Sequence, residues 1–488
     1  YANLKLGAEY TYDANRGEGF TYDENNPPQA QGAQTLRPRS YKDIPASTVG
    51  FVRCSRLRKG LGSMGLMLEA GVRVSNMFVD RKQSGGISHF LVAEPRVNAT
   101  LNLLDSRNNP VFDLLALTGG FGISNKMPTL MYLYPDYAYF DNASLSKYGT
   151  ETKDRLGLIT TDVVKNTANP DLRPARSTKW EAGLSFRINR IKGFATFFHE
   201  FHRHELGFTS QLIWQNYDKY TVPATATDPV FDAASGDVTY RVDGTEHTAL
   251  RTKTTEMYTW SRAANSTTTH KHGIEYGLDF GEIKPLHTSL NISGAWFHIK
   301  RKNENMPLNY INSSFDYVGV LPSGGGNLRD RFNSTFRLIT HIPAIKMVFT
   351  TSVQVVWYES TQTIYEDENG NSRYYLKSYE DKDYLVVDPV GYYDKQGHYT
   401  AWSQADADDA DKSRIMYRTQ PYLYEKDVIK PWALLSFRFT KEIGRVAELS
   451  VIANNFTNTK KWHTNPHSLA KTQLYPDMYF GAELKLKL

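Results

Sequence analysis

From Thr178 to Asn189 the chain alternates without a slip. Thr178, Trp180, Ala182, Leu184, Phe186 and Ile188 fall on one side, and Lys179, Glu181, Gly183, Ser185, Arg187 and Asn189 on the other. Side chains on a strand repeat every two residues, so the segment predicts a strand with one greasy face and one charged face. A turn cluster, Asn169-Pro170-Asp171-Leu172-Arg173-Pro174, leads into it. A soluble antiparallel sheet packed on a core has the same local pattern. The choice between the two therefore rests on the rest of the chain.

The pattern recurs from end to end. Leu4, Leu6, Ala8, Tyr10 and Tyr12 oppose Asn3, Lys5, Gly7, Glu9 and Thr11. Met64, Leu66, Leu68, Ala70, Val72 and Val74 oppose Glu69, Arg73 and two glycines. Strands follow over residues 89–104 and 111–123, then 193–208 and 271–280, where Ile274, Tyr276, Leu278 and Phe280 oppose Glu275, Gly277 and Asp279. Further runs lie around Leu290, Phe336, Val353, Leu435 and Val451. The last runs through Phe480, Ala482, Leu484 and Leu486, opposite Glu483 and Lys485. This makes about fourteen strands, an even number that could close into a barrel.

Between the strands, long and short connections alternate. The long ones cover residues 13–46, 124–176, 209–267, 302–327 and 359–429. Brief turns at one rim and extended loops at the other are the rhythm of outer-membrane barrels, and a sandwich has no reason to keep it. No run of about 18 apolar residues offers a membrane helix. The 31 Tyr and 24 Phe suit sheets and interfacial aromatic girdles. A net charge of +5 on 488 residues is too weak to imply a nucleic-acid partner. The single cysteine, Cys54, excludes a disulfide framework. No basic and apolar leader precedes the first strand, so a segment N-terminal to it is expected to be missing. The fold expected is an all-β, antiparallel transmembrane barrel, lipid outside and water within.

Asn-Pro-Asp-Leu-Arg-Pro followed by Trp180-Glu181-Ala182-Gly183-Leu184 resembles a recurring motif of TonB-dependent outer-membrane receptors. Glu94-Pro95-Arg96, Phe121-Gly122 through Met127-Pro128-Thr129-Leu130, Leu133-Tyr134-Pro135, Asn454-Asn455-Phe456 and the closing strand from Tyr479-Phe480-Gly481 are similar to further family motifs, in the family's order. The style is similar to receptors of the Bacteroidetes. Leu488 departs from the usual terminal aromatic, and in the SusC-like branch Lys-Trp-Glu follows Asn-Pro-Asp-Leu directly, whereas here Ser177-Thr178-Lys179 and other residues intervene. The family's barrels have 22 strands around a plug. The resemblance thus implies that this chain is the C-terminal portion of such a barrel. Its partners would be lipid, an N-terminal barrel and plug portion on the same or another chain, the TonB system acting through the plug, and in some branches a surface lipoprotein. The function implied is energised import of a scarce or bulky nutrient: a glycan, a peptide, a siderophore or a cobalamin-like ligand. A self-closed fourteen-stranded passive channel and a surface-adhesion barrel are the alternatives.

On this reading Lys179, Glu181, Arg187, Glu275, Asp279 and Glu483 face the lumen. Trp214, Tyr217, Tyr220, Tyr374, Tyr375 and Trp402 are candidates to stack on a ligand in the external loops, although loop cores and membrane interfaces also collect such rings. Asp406, Asp408, Asp409 and Asp411 could attract calcium, but the loop lacks the glycine and distal glutamate of an EF-hand. Within His199-Glu200-Phe201-His202-Arg203-His204, the residues Glu200, His202 and His204 would share a strand face, and Arg203 breaks any zinc-protease pattern. Gly324-Gly325-Gly326 lacks the Lys-Ser/Thr of a phosphate cradle and reads as a flexible loop tip. No nucleophile motif appears, so no enzymatic activity is expected.

Overall fold

The wall is one antiparallel sheet whose strands follow each other in chain order. The computed structural model describes residues 2–15, 17, 32–33, 44–444, 446–474 and 477–486. The wall strands are β1 (Ala2–Asn15), β2 (Ile44–Leu61), β3 (Met64–Val79), β4 (His89–Asp105), β5 (Leu114–Lys126), β6 (Ala175–Ile188) and β7 (Ile191–Thr221). They continue with β8 (Leu250–Ile283), β9 (Thr288–Asn303), β10 (Gly325–Ile342), β11 (Met347–Tyr365), β12 (Trp432–Ile443), β13 (Ala447–Asn454) and β14 (Tyr479–Leu486). Each pairs with the next, which gives the expected fourteen among the described residues.

The register turns the alternation of single strands into two continuous faces. Across five strands Leu101, Leu117, Leu184, Ala195 and Tyr276 lie in one row. Three residues along, on the other face, Arg56, Glu69, Asn98, Gly120 and Glu181 form a polar row. Leu6, Phe51, Leu91, Trp180, Leu184, Ile274 and Leu484 remain exposed on the apolar face. A soluble sheet would bury that row; here its large side chains project outward, as lipid contact requires. No described helix is long and apolar enough to cross a membrane.

Short turns all fall at one rim. Asn189 (φ 50°) turns β6 into β7. Single 3-10 turns at Lys284–Leu286 and Pro343–Ile345 end in the left-handed residues His287 and Lys346. At the opposite rim the long connections fold into a layer of their own. Most buried apolar side chains sit there rather than in the wall: Phe140 with Tyr258 and Trp260, Val238 with Tyr220, and Val386 with Met416.

Three expectations need correction. Residues 209–267 are not mainly loop, because β7 and β8 stay paired from Glu205 to Thr221 and from Leu250 to Thr267. This extension is rich in Thr, Tyr, Trp and Ile, which favour strands. It loses the polar–apolar alternation because other loops pack on it, as Phe140 does on Tyr258. Gly324-Gly325-Gly326 is no free tip. Gly325 opens β10, and Gly324 lies so close to β11 that a Cβ there would meet the Glu366 carbonyl at 1.9 Å. Finally, a self-closed fourteen-stranded barrel would need β1 beside β14. Among the described residues these two are the ends of the sheet and do not pair.

The other expected loops carry local structure. Residues 124–176 contain the pair Ala138–Lys147 and Leu156–Val164. Residues 302–327 and 359–429 are joined where Tyr317–Val320 pairs with Gly391–Asp394. Most of 13–46 lies outside the described residues.

Candidate functional site

The six residues expected to line the interior all fall on the polar face. Lys179 and Glu181 form an ion pair at 3.0 Å. Glu200 continues the patch, accepting from Ser177 at 2.9 Å and lying 3.4 Å from His202 and 3.9 Å from Lys271. The ammonium groups of Lys179 and Lys271 flank the buried Phe198 ring at 5.4 and 5.3 Å. Small residues make room: a Cβ on Gly120 would lie 2.9 Å from Asn98 and 3.0 Å from Glu181. Nearer the short turns, Arg187, Lys192, Asp279, Asn291 and Arg337 form one row, with Glu275 on the same face four residues before Asp279. Glu483 takes a hydrogen bond from Arg438 at 2.7 Å. Opposite charges held side by side on a wet face favour polar solutes and polar protein surfaces over lipid.

At the long-loop end the aromatic candidates divide. Tyr217 and Tyr220 share a cleft of about 660 Å³ with Asn216, Asp218, Phe231 and Lys253. It lies between the β7–β8 extension and the 138–164 sheet. Thr255 holds the Asn216 amide oxygen at 2.7 Å, and Arg251 holds Asp218 at 3.2 Å. Burial, with help from Glu256, pushes the Tyr217 hydroxyl up to about 12. The Tyr220 hydroxyl donates to the Gly236 carbonyl. Trp214 donates to the Asp394 carbonyl at 2.8 Å and meets Tyr393 edge-on, while Trp402 meets Tyr392 edge-on. Trp214 therefore ties the β7–β8 extension to the 359–429 connection, within which Trp402 packs. Tyr374 packs on Tyr424, and Tyr375 is exposed and donates to Asp388 at 2.8 Å.

Asp406 is the N3 residue of the short helix Gln404–Ala407, closing a capping box with Ser403. It also pairs with Lys412 at 2.8 Å. Asp409 accepts from the backbone of Asp411 and Lys412. Among the described residues no three His, Cys, Asp or Glu groups converge as a metal site. Lys412 first, then Ser403, holds the Asp406 carboxyl down at about 2. A lowered carboxyl stabilises fully above its ordinary 3.8, and the contribution is lost as pH falls through about 2. Asp406→Ala is expected to loosen residues 403–416 by about 1–2 kcal/mol, read as faster amide exchange there and nowhere in the wall.

The strand reading of Glu200, His202 and His204 holds for the first two. A bulge between His202 and Glu205, with His204 at φ 56°, takes the third out of line. Register reveals a different grouping on the apolar face: His199, His272 and His298 lie in one row across β7, β8 and β9. One strand's sequence could not show it, because each strand contributes a single member to the row.

The family model of the TonB dependent receptor-like β-barrel matches residues 1–222. No curated protein sequence matches. Among solved structures, the siderophore receptor PirA from Acinetobacter baumannii aligns with 99% of this chain and 59% of its own at 11% identity, TM-score 0.39. The copper transporter OprC aligns with 99% and 76% at 10% identity, TM-score 0.27. The chain thus spans about 59% of the length of PirA. Residues 1–222 are thus similar to the TonB dependent receptor-like β-barrel, and the two-faced wall that begins there continues through the rest of the described chain.

Proposed function

We propose that this chain is the greater part of the barrel wall of an energised outer-membrane importer. The observation that carries the reading is the wall itself. It has one outward apolar face and one charged face, with every long connection at one rim, and it begins within the family match. The polar face lines the lumen, and the long loops face outside the cell. The motif style fits receptors of the Bacteroidetes.

Unpaired strand edges are not tolerated in lipid, because each lost hydrogen bond costs several kcal/mol, on the order of 4–8 in an environment without hydrogen-bonding groups. The free edges of β1 and β14 are therefore completed by further strands, on the same polypeptide or another. A plug bears on Arg187, Lys192, Asp279 and Arg337, and TonB pulls on that plug. The cleft at Tyr217 and Tyr220 offers ring faces beside amide, carboxylate and ammonium groups. That mixture suits a glycan or peptide, captured outside and passed inward. The wall does no covalent chemistry.

The test is the assembly isolated from membranes. Its intact mass is expected to show additional polypeptide bearing the missing strands and plug. In planar bilayers it is expected to give no steady conductance. A lone species of this chain's mass that conducts continuously overturns the importer.

A further inference from the structure

On the outward face of β7–β10, three successive rows change in chemistry toward the long loops. The first is Phe197, Ile274, Trp296 and Phe332, an aromatic and aliphatic band. The second, two residues along, is Trp180, His199, His272, His298 and Asp330. The third is Phe201, His270 and Lys300. Two strand residues at about 3.4 Å each, tilted by roughly 40°, advance about 5 Å along a barrel axis. Aromatic bands mark the edge of the hydrocarbon, so the second and third rows stand at the depth of lipid headgroups.

The histidines form one contiguous group. Ring centroids are 6.5 Å apart for His199 and His272, 5.0 Å for His272 and His298, and 6.0 Å for His199 and His270. Trp180 stacks on His199 and Phe201 on His270. Beyond them a cleft of about 500 Å³ is lined by His270, Lys300, Lys302 and Arg373. Two acids facing the group are already engaged. Asp330 pairs with His298 at 2.8 Å and lies 3.6 Å from Lys426, and Glu366 pairs with Lys300 at 2.5 Å. Glu304, Asp367 and Glu368 also line the cleft, and Glu304 accepts from Thr268. Arg203 lies over the Phe201 ring, and Tyr358 beside Lys426. That leaves three imidazoles, His199, His270 and His272, without an ion pair to an acid among the described residues, with Lys300, Lys302 and Arg203 beside them at headgroup depth.

We propose that this patch binds the phosphate of an outer-leaflet lipid, and that protonation of His199, His270 and His272 governs its hold. Each protonated imidazole adds a donor and a positive charge. Binding therefore strengthens as the pH is lowered and the imidazoles take up protons. An interior metal site is a poorer fit, since the rings point outward and no three ligating groups converge among the described residues.

The proposal rests on the membrane placement above, and the experiment separates the two. The complete assembly is purified in detergent and loaded with phosphatidic acid. Bound lipid is counted by native mass spectrometry at pH 5.5 and 7.5, with heat-modifiability on gels as the check of a folded barrel. Retention is expected to be about tenfold higher at pH 5.5. The H199Q/H270Q/H272Q variant is expected to stay folded and lose that difference, and a single H270Q variant to lose part of it. Retention that is equal at both pH values, or unchanged in a folded triple variant, overturns the proposal. So does full displacement by millimolar inorganic phosphate, which would mark a free-anion site. Material that never behaves as a folded barrel counts against the membrane reading instead.

Discussion

Leu184→Arg is expected to remove about 2–4 kcal/mol of stability in a bilayer, the penalty for a cation at mid-depth on a lipid-facing strand. Leu184 is exposed and lies in the apolar row between Leu117 and Ala195. Its neighbours offer no carboxylate to pair with an arginine. The matched control is Thr100→Arg, on the opposite face beside Met67 and Thr118. There water solvates the new charge, and the change should stay under about 1 kcal/mol. Urea titration of the assembly in vesicles reads both. Equal penalties, or a larger one at Thr100, would mean the two faces are assigned the wrong way round.

Gly324→Val is expected to unlatch two long loops at once. Gly324 sits at φ 116°, a conformation closed to branched side chains. Its Cβ would strike a backbone carbonyl, which cannot swing aside as a flexible side chain could. The glycine also bridges two strands, donating to Asn303 and accepting from Glu366 at 3.0 and 3.1 Å. Displacing it breaks both bonds. The combined loss is about 3 kcal/mol or more. Limited proteolysis should then cut within 303–325 and 365–373 while the wall survives. Gly7→Ala, where a Cβ meets nothing within 4 Å, should change neither pattern.

The wall was legible in the sequence because its two faces meet different solvents. Trp180 and Leu184 against Lys179 and Glu181 reflect lipid on one side and water on the other, and this contrast imprints a period of two. Above the membrane the contrast disappears. Tyr217, Tyr258 and Trp260 are in strands, yet other loops cover them, so no alternation announces the strand. The Asp406 run was misleading for a local reason: its most buried member caps a helix and pairs with a lysine six residues on. The histidine patch was invisible because register assembles it from residues on three strands, and register is a property of pairs of segments. The openness of the sheet could not be read either, since an even number of strands is compatible with closure.

The irregularity at the foot of the β7–β8 extension bears on how this wall can be recombined with others. One extra residue on β7 between His202 and Glu205 is answered by one on β8 between Asn265 and Thr267, so the offsets cancel. The hairpin can bend there without slipping its alignment above or below. A chimera spliced at this joint would therefore carry the whole extended hairpin onto a foreign stem with every cross-strand partner preserved.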